Sequence, residues 1–106
     1  MKKGDLVLIP FPFTDLTGAK NRPALILIER ELDITVSFIT TQINWQDEFD
    51  LPIEPSVENG IKKNSLIRLS KMTTLSKELV IGRLGSLTEV QVSKVNQQLI
   101  KLLKLA

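Results

Sequence analysis

Two apolar stretches of this sequence end in polar residues that can bind phosphate. In NRPALILIER, residues 21–30, Arg22 stands directly before a proline and an apolar run. In VSFITTQ, residues 36–42, an apolar run is followed by two threonines, the first of them Thr40, and by Gln42. Arginine binds phosphate oxygens through two parallel N–H groups and stays charged at any ordinary pH. A threonine hydroxyl can donate to a phosphate oxygen, and a glutamine amide can donate or accept.

The composition removes most other kinds of catalytic site. The chain has 106 residues, with no histidine and no cysteine, so Ser-His-Asp and Cys-His nucleophilic sites are excluded and the usual zinc donors are missing. No glycine-rich phosphate loop occurs, and the carboxylates of residues 46–50 lack the alternation of a calcium loop. We therefore expect no metal and no cofactor. What remains is phosphate chemistry by positioned arginine, hydroxyl and amide groups, for which RNA supplies its own nucleophile, the 2′-hydroxyl.

The pattern of apolar and turn-forming residues predicts several short strands followed by one helix. Strands are expected at residues 5–11, 22–30, 34–41, around 49–53, 65–75 and 78–85. Thr88 can cap the helix, with Gln91 at capping-box spacing. The apolar face of that helix comprises Val92, Val95, Leu99, Leu102 and Leu103. This order is typical of a mainly β (β-rich α+β) domain, and a closed or nearly closed barrel would protect the strand edges.

The length and composition predict one globular domain over residues 1–106 that does not enter a membrane. Apolar residues make up 42% of the chain and charged residues 25%, an ordinary globular balance. The longest apolar stretches are far shorter than the roughly 20 residues that span a bilayer. Asp5 and two prolines in the N-terminal run disfavour a signal peptide. The lack of cysteine suits a reducing compartment, so we expect a cytoplasmic protein.

The charges are distributed unevenly along the chain. Residues 29–58 hold eight carboxylates and one arginine, a net charge of −7. Residues 60–83 hold six basic residues and one glutamate, a net charge of +5. The basic segment is either the footprint of a polyanion site or an ordinary solvated strand surface.

Three stretches in this order resemble one known family. They are KGDLVLIPFPFTDLTGAKNRPALIL, VSFITTQ and LGSLTEVQVSKVNQQLIKLL, which together cover nearly the whole chain. They are similar to the MazF/PemK family, the endoribonuclease toxins of type II toxin–antitoxin pairs. The resemblance implies an SH3-like β-barrel with a C-terminal helix, usually a homodimer. It also implies metal-independent, sequence-selective cleavage of single-stranded RNA (mRNA), leaving 2′,3′-cyclic phosphate and 5′-hydroxyl ends, and a cognate antitoxin as partner.

The same resemblance assigns roles to individual residues. The catalytic arginine of the family falls on Arg22, its catalytic threonine on Thr40, and a residue used around the RNA on Gln42. The chain departs from the family in its first loop, where Asp15 is the only carboxylate, and at Ser70, where related members often carry an aspartate. These departures concern base specificity and the acid–base groups.

Each assignment has a simpler alternative. Arg22 can be a strand-edge arginine paired with a carboxylate, and Thr40 can be a residue that strands favour, with Thr41 as the internal comparison because adjacent strand residues face opposite ways. Trp45 can stack on a base, or pack on the barrel or on the antitoxin.

The remaining expected RNA contacts lie in the first loop, and they too are open. They are Thr14, Lys20 and Asn21, which either contact the RNA or are solvated. The rival to an RNA-cleaving toxin is a non-catalytic barrel that binds RNA or protein. An antitoxin with a flexible acidic tail would compete with RNA for the basic groove.

Overall fold

The protein forms an antiparallel sheet followed by one helix. A computed structural model describes residues 1–11 and 20–106, and within these ranges the chain forms six strands, a short 3₁₀ helix and an α-helix. The strands are β1 (Asp5–Phe11), β2 (Lys20–Glu29), β3 (Asp33–Thr40), β4 (Asp50–Ile53), β5 (Ser65–Ser76) and β6 (Gly82–Ser86). The 3₁₀ helix is Lys77–Leu79 and the α-helix, α1, is Glu89–Leu102. No helix in the described ranges is both long and apolar enough to cross a membrane.

The sheet has the strand order β4-β5-β3-β2-β1-β6 and is curled into a half-barrel. Three of its strand pairs contain register shifts, which bend a sheet and increase its twist. The prediction of a mainly β fold with a C-terminal helix is confirmed. The barrel is not closed by strand pairing within the described ranges, because β4 and β6 stand at opposite ends of the strand order.

The segment between β4 and β5 lies against β6 and protects that edge. Ser86 donates a backbone hydrogen bond to the Glu58 carbonyl over 2.8 Å. The fully buried Asn59 holds the segment in shape, since its side chain donates to the Glu54 carbonyl and accepts from the amide of Ile61. A side chain at Gly85 would overlap the Glu58 carbonyl oxygen, so this close approach needs glycine.

Apolar residues pack on both faces of the curled sheet. One cluster lies between the sheet and α1, and Val95 of the helix is buried in it. Its other buried members include Leu6, Leu25, Ile39, Ile67 and Leu69. The second cluster lies on the opposite face and contains Val7, Ile9, Ala24, Ile26, Ile34 and Val36, with Phe38 packed against it. The sheet therefore has two faces that carry buried apolar residues.

The helix begins as predicted, and its apolar face is shorter than predicted. The Thr88 hydroxyl accepts from the Gln91 amide over 3.2 Å, and the Gln91 side chain accepts from the Thr88 amide over 2.9 Å, which is a complete capping box. Val92, Leu99 and Leu102 pack against the core cluster. Leu103 is instead the C-cap residue and is exposed, because the helix has already ended at Leu102.

Two strand boundaries also differ from the sequence prediction. β2 begins two residues early, at Lys20, because Asn21 and Lys20 still pair with β1. The strand predicted from residue 78 begins only at Gly82. Ser76 caps the 3₁₀ helix there by accepting from the Glu78 amide over 3.2 Å, which turns the chain before β6.

Candidate active site

The register of the central strands brings the predicted arginine and threonine to one face of the sheet. Ala24 of β2 pairs with Phe38 of β3. The same register continued by two residues sets Arg22 opposite Thr40. Because side chains alternate along a strand, both point to the face that Phe38 occupies. Phe38 in turn pairs with Arg68 of β5, which adds a second guanidinium to this face.

These side chains line one open pocket of about 450 Å³. Arg22 and Thr40 lie in its wall together with Gln42, so three of the residues singled out from sequence come together. The described residues that complete the lining are Phe38, Ile39, Arg68 and Lys71. The pocket combines three cationic side chains with a hydroxyl and an amide, and this donor set suits an anion such as a phosphodiester.

The Thr40 hydroxyl is held by the chain that follows it. The backbone amide of Gln42 donates to Thr40 Oγ1 over 3.0 Å. This hydrogen bond uses a lone pair and leaves the hydroxyl proton available to donate into the pocket. Thr41 lines a different pocket, with Leu8 and Pro23. The expected contrast between the two adjacent threonines is therefore present in the structure.

Arg68 was not identified from sequence as a site residue, only as part of the basic segment. Its guanidinium lies 3.5 Å from Asp50 Oδ1 and 3.7 Å from Asp47 Oδ2. The Asp50 side chain is completely buried, and its other oxygen accepts from the Asp47 amide over 3.0 Å. The two carboxylates therefore balance the charge of the arginine at the pocket wall, without a hydrogen bond between Arg68 Nε and Asp50 Oδ1. The available sequence signal was the single arginine within an apolar strand, preceded by a segment rich in carboxylates.

Lys71 and Arg68 line the same pocket because β5 is irregular between them. Ser37 of β3 pairs with Met72, whereas the next residue, Phe38, pairs with Arg68. Three residues of β5, numbers 69–71, therefore bulge out of the ladder. In a regular strand Arg68 and Lys71 would face opposite sides, and the bulge instead brings both to the pocket.

Of the other residues predicted to contact RNA, Asn21 and Trp45 have described side chains, and neither is among the residues that line the pocket. Asn21 is exposed in β2, and Trp45 is 85% exposed in the segment between β3 and β4. Lys20 begins β2, and its side chain lies outside what the structure describes, as does the whole of Thr14. Ser70 sits in the bulge between Arg68 and Lys71 and is exposed.

The basic segment does not form one continuous cationic surface. Lys77 pairs with Glu29 over 3.1 Å, and Arg83 pairs with Asp5 over 3.4 Å. Lys62 and Lys63 line the pocket that contains Thr41. Only Arg68 and Lys71 of this segment line the pocket with Arg22. In residues 1–11 and 20–106, no three Asp or Glu side chains are grouped in a way that could hold a metal ion.

The fold and pocket define a small half-barrel protein with a cationic pocket, and similarity to known proteins identifies its family. The family model of the PemK-like, MazF-like toxins of type II toxin–antitoxin systems matches residues 2–103. The chain belongs to this family and is the toxin of a type II toxin–antitoxin system, which confirms the resemblance seen in the sequence. No curated protein sequence matches the chain significantly.

Solved structures of mycobacterial toxins share the fold. Mycobacterium tuberculosis toxin MazF-mt6 superimposes with a TM-score of 0.76 at 18% identity, covering 94% of this chain and 96% of that one. An endoribonuclease in complex with its cognate antitoxin, from a mycobacterial species, gives a TM-score of 0.75 at 21% identity, covering 100% and 97%. A further mycobacterial endoribonuclease gives 0.72 at 19% identity, covering 98% and 91%. At these identities the likeness establishes the fold.

Proposed function

We propose that this toxin is an endoribonuclease that cleaves single-stranded RNA, such as mRNA, at a short sequence and without a metal ion. The observation that carries the proposal is the meeting of Arg22 and Thr40 in one open pocket, from two neighbouring strands. The solved structures with the same fold include two named endoribonucleases, which supports the assignment.

The pocket offers what RNA cleavage by internal transfer requires. The 2′-hydroxyl of a ribose gives up its proton as its oxygen attacks the adjacent phosphorus, the bond to the 5′-oxygen breaks, and the 5′-oxygen takes up one proton, so that no net proton is released. The products are a 2′,3′-cyclic phosphate and a 5′-hydroxyl. Negative charge builds on the two non-bridging oxygens of the pentacovalent phosphorus, so the main task of the protein is positioning and charge stabilisation.

We assign Arg22 and Thr40 to stabilising that negative charge. The guanidinium of Arg22 can donate two parallel hydrogen bonds to the non-bridging oxygens. The Thr40 hydroxyl, oriented by the Gln42 amide, donates a third. Arg22 is not assigned proton abstraction, because a guanidinium stays protonated in proteins. Gln42 lines the pocket beside Thr40 and is assigned to hold the RNA next to the cleaved bond.

The test is cleavage of a long single-stranded RNA in EDTA by the wild type, Arg22→Ala and Thr40→Ala. Thr41→Ala is the matched control, since this neighbouring threonine lines another pocket. We expect cuts at a short recurrent sequence with cyclic-phosphate ends, lost in the first two variants and kept in the control. RNA that is bound but left intact by the wild type would instead establish the non-catalytic binding module.

The family and one structural neighbour support the partners that we propose. A cognate antitoxin is assigned to the pocket face, where an acidic segment would compete with RNA for the three cations. One solved relative was determined with its cognate antitoxin, which supports this assignment. We assign the chain a homodimeric state and a cytoplasmic location, where mRNA is available. Sedimentation of the purified toxin tests the first, and competition between antitoxin and labelled RNA at rising salt tests the shared surface.

A further inference from the structure

We propose that Lys71 binds a second RNA phosphate, adjacent to the one that is cleaved, and that Ser37 positions it for this contact. The inference rests on the proposed ribonuclease function, because it concerns how the same pocket holds its substrate. It defines the minimal substrate as an RNA with at least two consecutive phosphates.

The first observation is the bulge that carries Lys71. The pairing of β3 with β5 shifts by three residues between Ser37 and Phe38, so residues 69–71 have no partner in the ladder. Bulges of this kind re-aim side chains, and this one brings Lys71 to the pocket wall beside Arg68. Continued regularly from residues 72–76, β5 would pair Lys71 with Phe38 and turn Arg68 to the other face, so the bulge is what lets both cations line the pocket.

The second observation is that the bulge is fixed from inside the protein. The Ser37 hydroxyl donates to the carbonyl of Leu69, within the bulge, over 3.2 Å. Ser37 and Leu69 are both completely buried, so the bond lies away from water. A carbonyl displaced from the ladder needs another donor, and Ser37 supplies it. The hydroxyl therefore holds the backbone two residues before Lys71 in the bulged conformation.

The third observation concerns charge. Arg68 is balanced by Asp47 and the buried Asp50. Lys71 is exposed, and among the described residues no carboxylate lies within ion-pair distance of its ammonium group. Its charge is therefore available to a ligand.

The position of Lys71 points to a neighbouring phosphate rather than the cleaved one. Arg22 and Thr40 already direct three donors to the two non-bridging oxygens of the cleaved phosphodiester. RNA carries another phosphate one nucleotide away on each side, and the ammonium group is a compact point charge on a long flexible stem. A pocket of about 450 Å³ has room for more than one backbone group.

The experiment uses short oligonucleotides that are DNA except for one ribonucleotide at the mapped cleavage site. Three versions are compared: one unmodified, and one each with a neutral methylphosphonate at the phosphate 5′ or 3′ of the cleaved one. With wild type, we expect neutralisation at one of these positions to lower kcat/KM by about 10- to 100-fold, the usual effect of losing a charged hydrogen bond. With Lys71→Ala, that version and the unmodified one should be cleaved at similar rates.

The control is Lys101→Ala, which removes an exposed lysine on α1 and should retain the wild-type discrimination. The affinity of each oligonucleotide is measured in parallel by fluorescence anisotropy as salt is raised. For Lys71→Ala, the slope of log affinity against log salt should be less steep by about 0.7, the value for one phosphate contact on a single strand. If Lys71→Ala still cleaves the methylphosphonate oligonucleotide more slowly than the unmodified one, to the same extent as wild type, the inference is overturned.

The two proposals can fail separately. If the wild type leaves the long single-stranded RNA intact, the ribonuclease function fails, while the salt dependence of RNA affinity in Lys71→Ala still shows whether Lys71 contacts a phosphate. If the wild type cleaves but Lys71→Ala discriminates as before, only the inference about Lys71 fails.

The role of Ser37 is tested with Ser37→Ala in the same assays. If Ser37 positions Lys71, this variant should cleave the unmodified oligonucleotide but discriminate against the methylphosphonate as weakly as Lys71→Ala does. Thermal unfolding is recorded alongside to show that the variant is folded. A variant that is less stable but keeps wild-type discrimination would make Ser37 a purely structural residue and overturn its positioning role.

Discussion

The backbone amide of Gln42 donates a hydrogen bond to the Thr40 hydroxyl over 3.0 Å, at the point where β3 ends. The bond couples two neighbouring residues of the pocket, since the turn that places Gln42 also orients the hydroxyl of Thr40. It leaves the hydroxyl one proton to donate, and the pocket is where a phosphate oxygen could accept it.

Substitutions at Thr40 should therefore distinguish the contribution of its hydroxyl to cleavage from the contribution of its side-chain shape. Thr40→Val keeps the branched shape but removes the hydroxyl, and we expect kcat to fall by about 10²- to 10³-fold, as when one charge-stabilising donor is lost. Thr40→Ser keeps the donor and should remain within about tenfold of wild type, because only a methyl group is lost. Single-turnover cleavage at saturating enzyme measures both. Equal rates in the two variants would contradict a donor role.

Arg22→Lys tests whether the two parallel N–H groups matter, beyond the positive charge. Lysine keeps the charge but is a point donor, so it does not reproduce the bidentate contact. We expect Arg22→Lys to lose at least about 10²-fold in kcat/KM while its RNA affinity falls much less. The measurement pairs cleavage kinetics with binding to an all-deoxy analogue that lacks the 2′-hydroxyl. Near-normal cleavage by Arg22→Lys would show that the pocket needs only a positive charge at this position.

Asp50 should be the carboxylate that fixes Arg68 at the pocket wall. Its side chain is completely buried, accepts a hydrogen bond from the Asp47 amide and lies within ion-pair distance of Arg68, so Asp50→Ala leaves one amide without its acceptor and one guanidinium without its nearest counter-charge. We expect a loss of about 2–3 kcal/mol in the free energy of unfolding, below the full cost of breaking a buried pair because Arg68 is 32% exposed.

The matched variant for this prediction is Asp47→Ala. The Asp47 side chain is 46% exposed and lies 3.7 Å from the same arginine. An exposed pair contributes about 1 kcal/mol or less, so this variant should be only slightly destabilised. Urea unfolding of both variants gives the comparison. Equal losses would mean that burial of Asp50 does not decide the strength of the pair.

The elements that the sequence predicted well are those defined by neighbouring residues. The helix start followed from Thr88 and Gln91, three residues apart, and the structure forms both hydrogen bonds of that capping box. The strands followed from runs of β-branched and apolar residues with turn formers between them. The predicted start of β6 was wrong because Ser76 caps a 3₁₀ helix at that point. This local signal was obscured by the apolar run ELVI.

The site was only partly predictable, for a physical reason. Arg22 and Thr40 were found through the family resemblance, and the structure places both in one pocket. Arg68 and Lys71 reach that pocket through the pairing of β5 with β3, and the three-residue register shift leaves no mark in the sequence of β5. The partners of Arg68 lie 18 and 21 residues before it in the chain. Contacts that depend on strand register or on distant segments can be identified only once the folded sheet is known.

Trp45 gives a direct spectroscopic test of where RNA runs beyond the pocket. It is the only tryptophan in the chain, it is 85% exposed, and it follows the pocket residue Gln42 by three positions. The segment around it is anchored, since the Gln98 side chain of α1 donates to the Glu48 carbonyl over 3.3 Å and Gln46 donates to the Asp50 carbonyl over 3.4 Å. A base that leaves the pocket toward this segment meets an indole ring whose supporting backbone is already ordered.

We expect an all-deoxy analogue of the cleavage site to quench the Trp45 fluorescence as it binds. Stacking of one base contributes about 1–3 kcal/mol, so Trp45→Ala should weaken binding by about 5- to 150-fold. Trp45→Phe retains an aromatic face and should recover most of that loss. Anisotropy of the labelled analogue provides an independent measure of binding. If the analogue binds while the emission of Trp45 is unchanged, the RNA leaves the pocket in another direction, and this exposed indole belongs to an interface with protein.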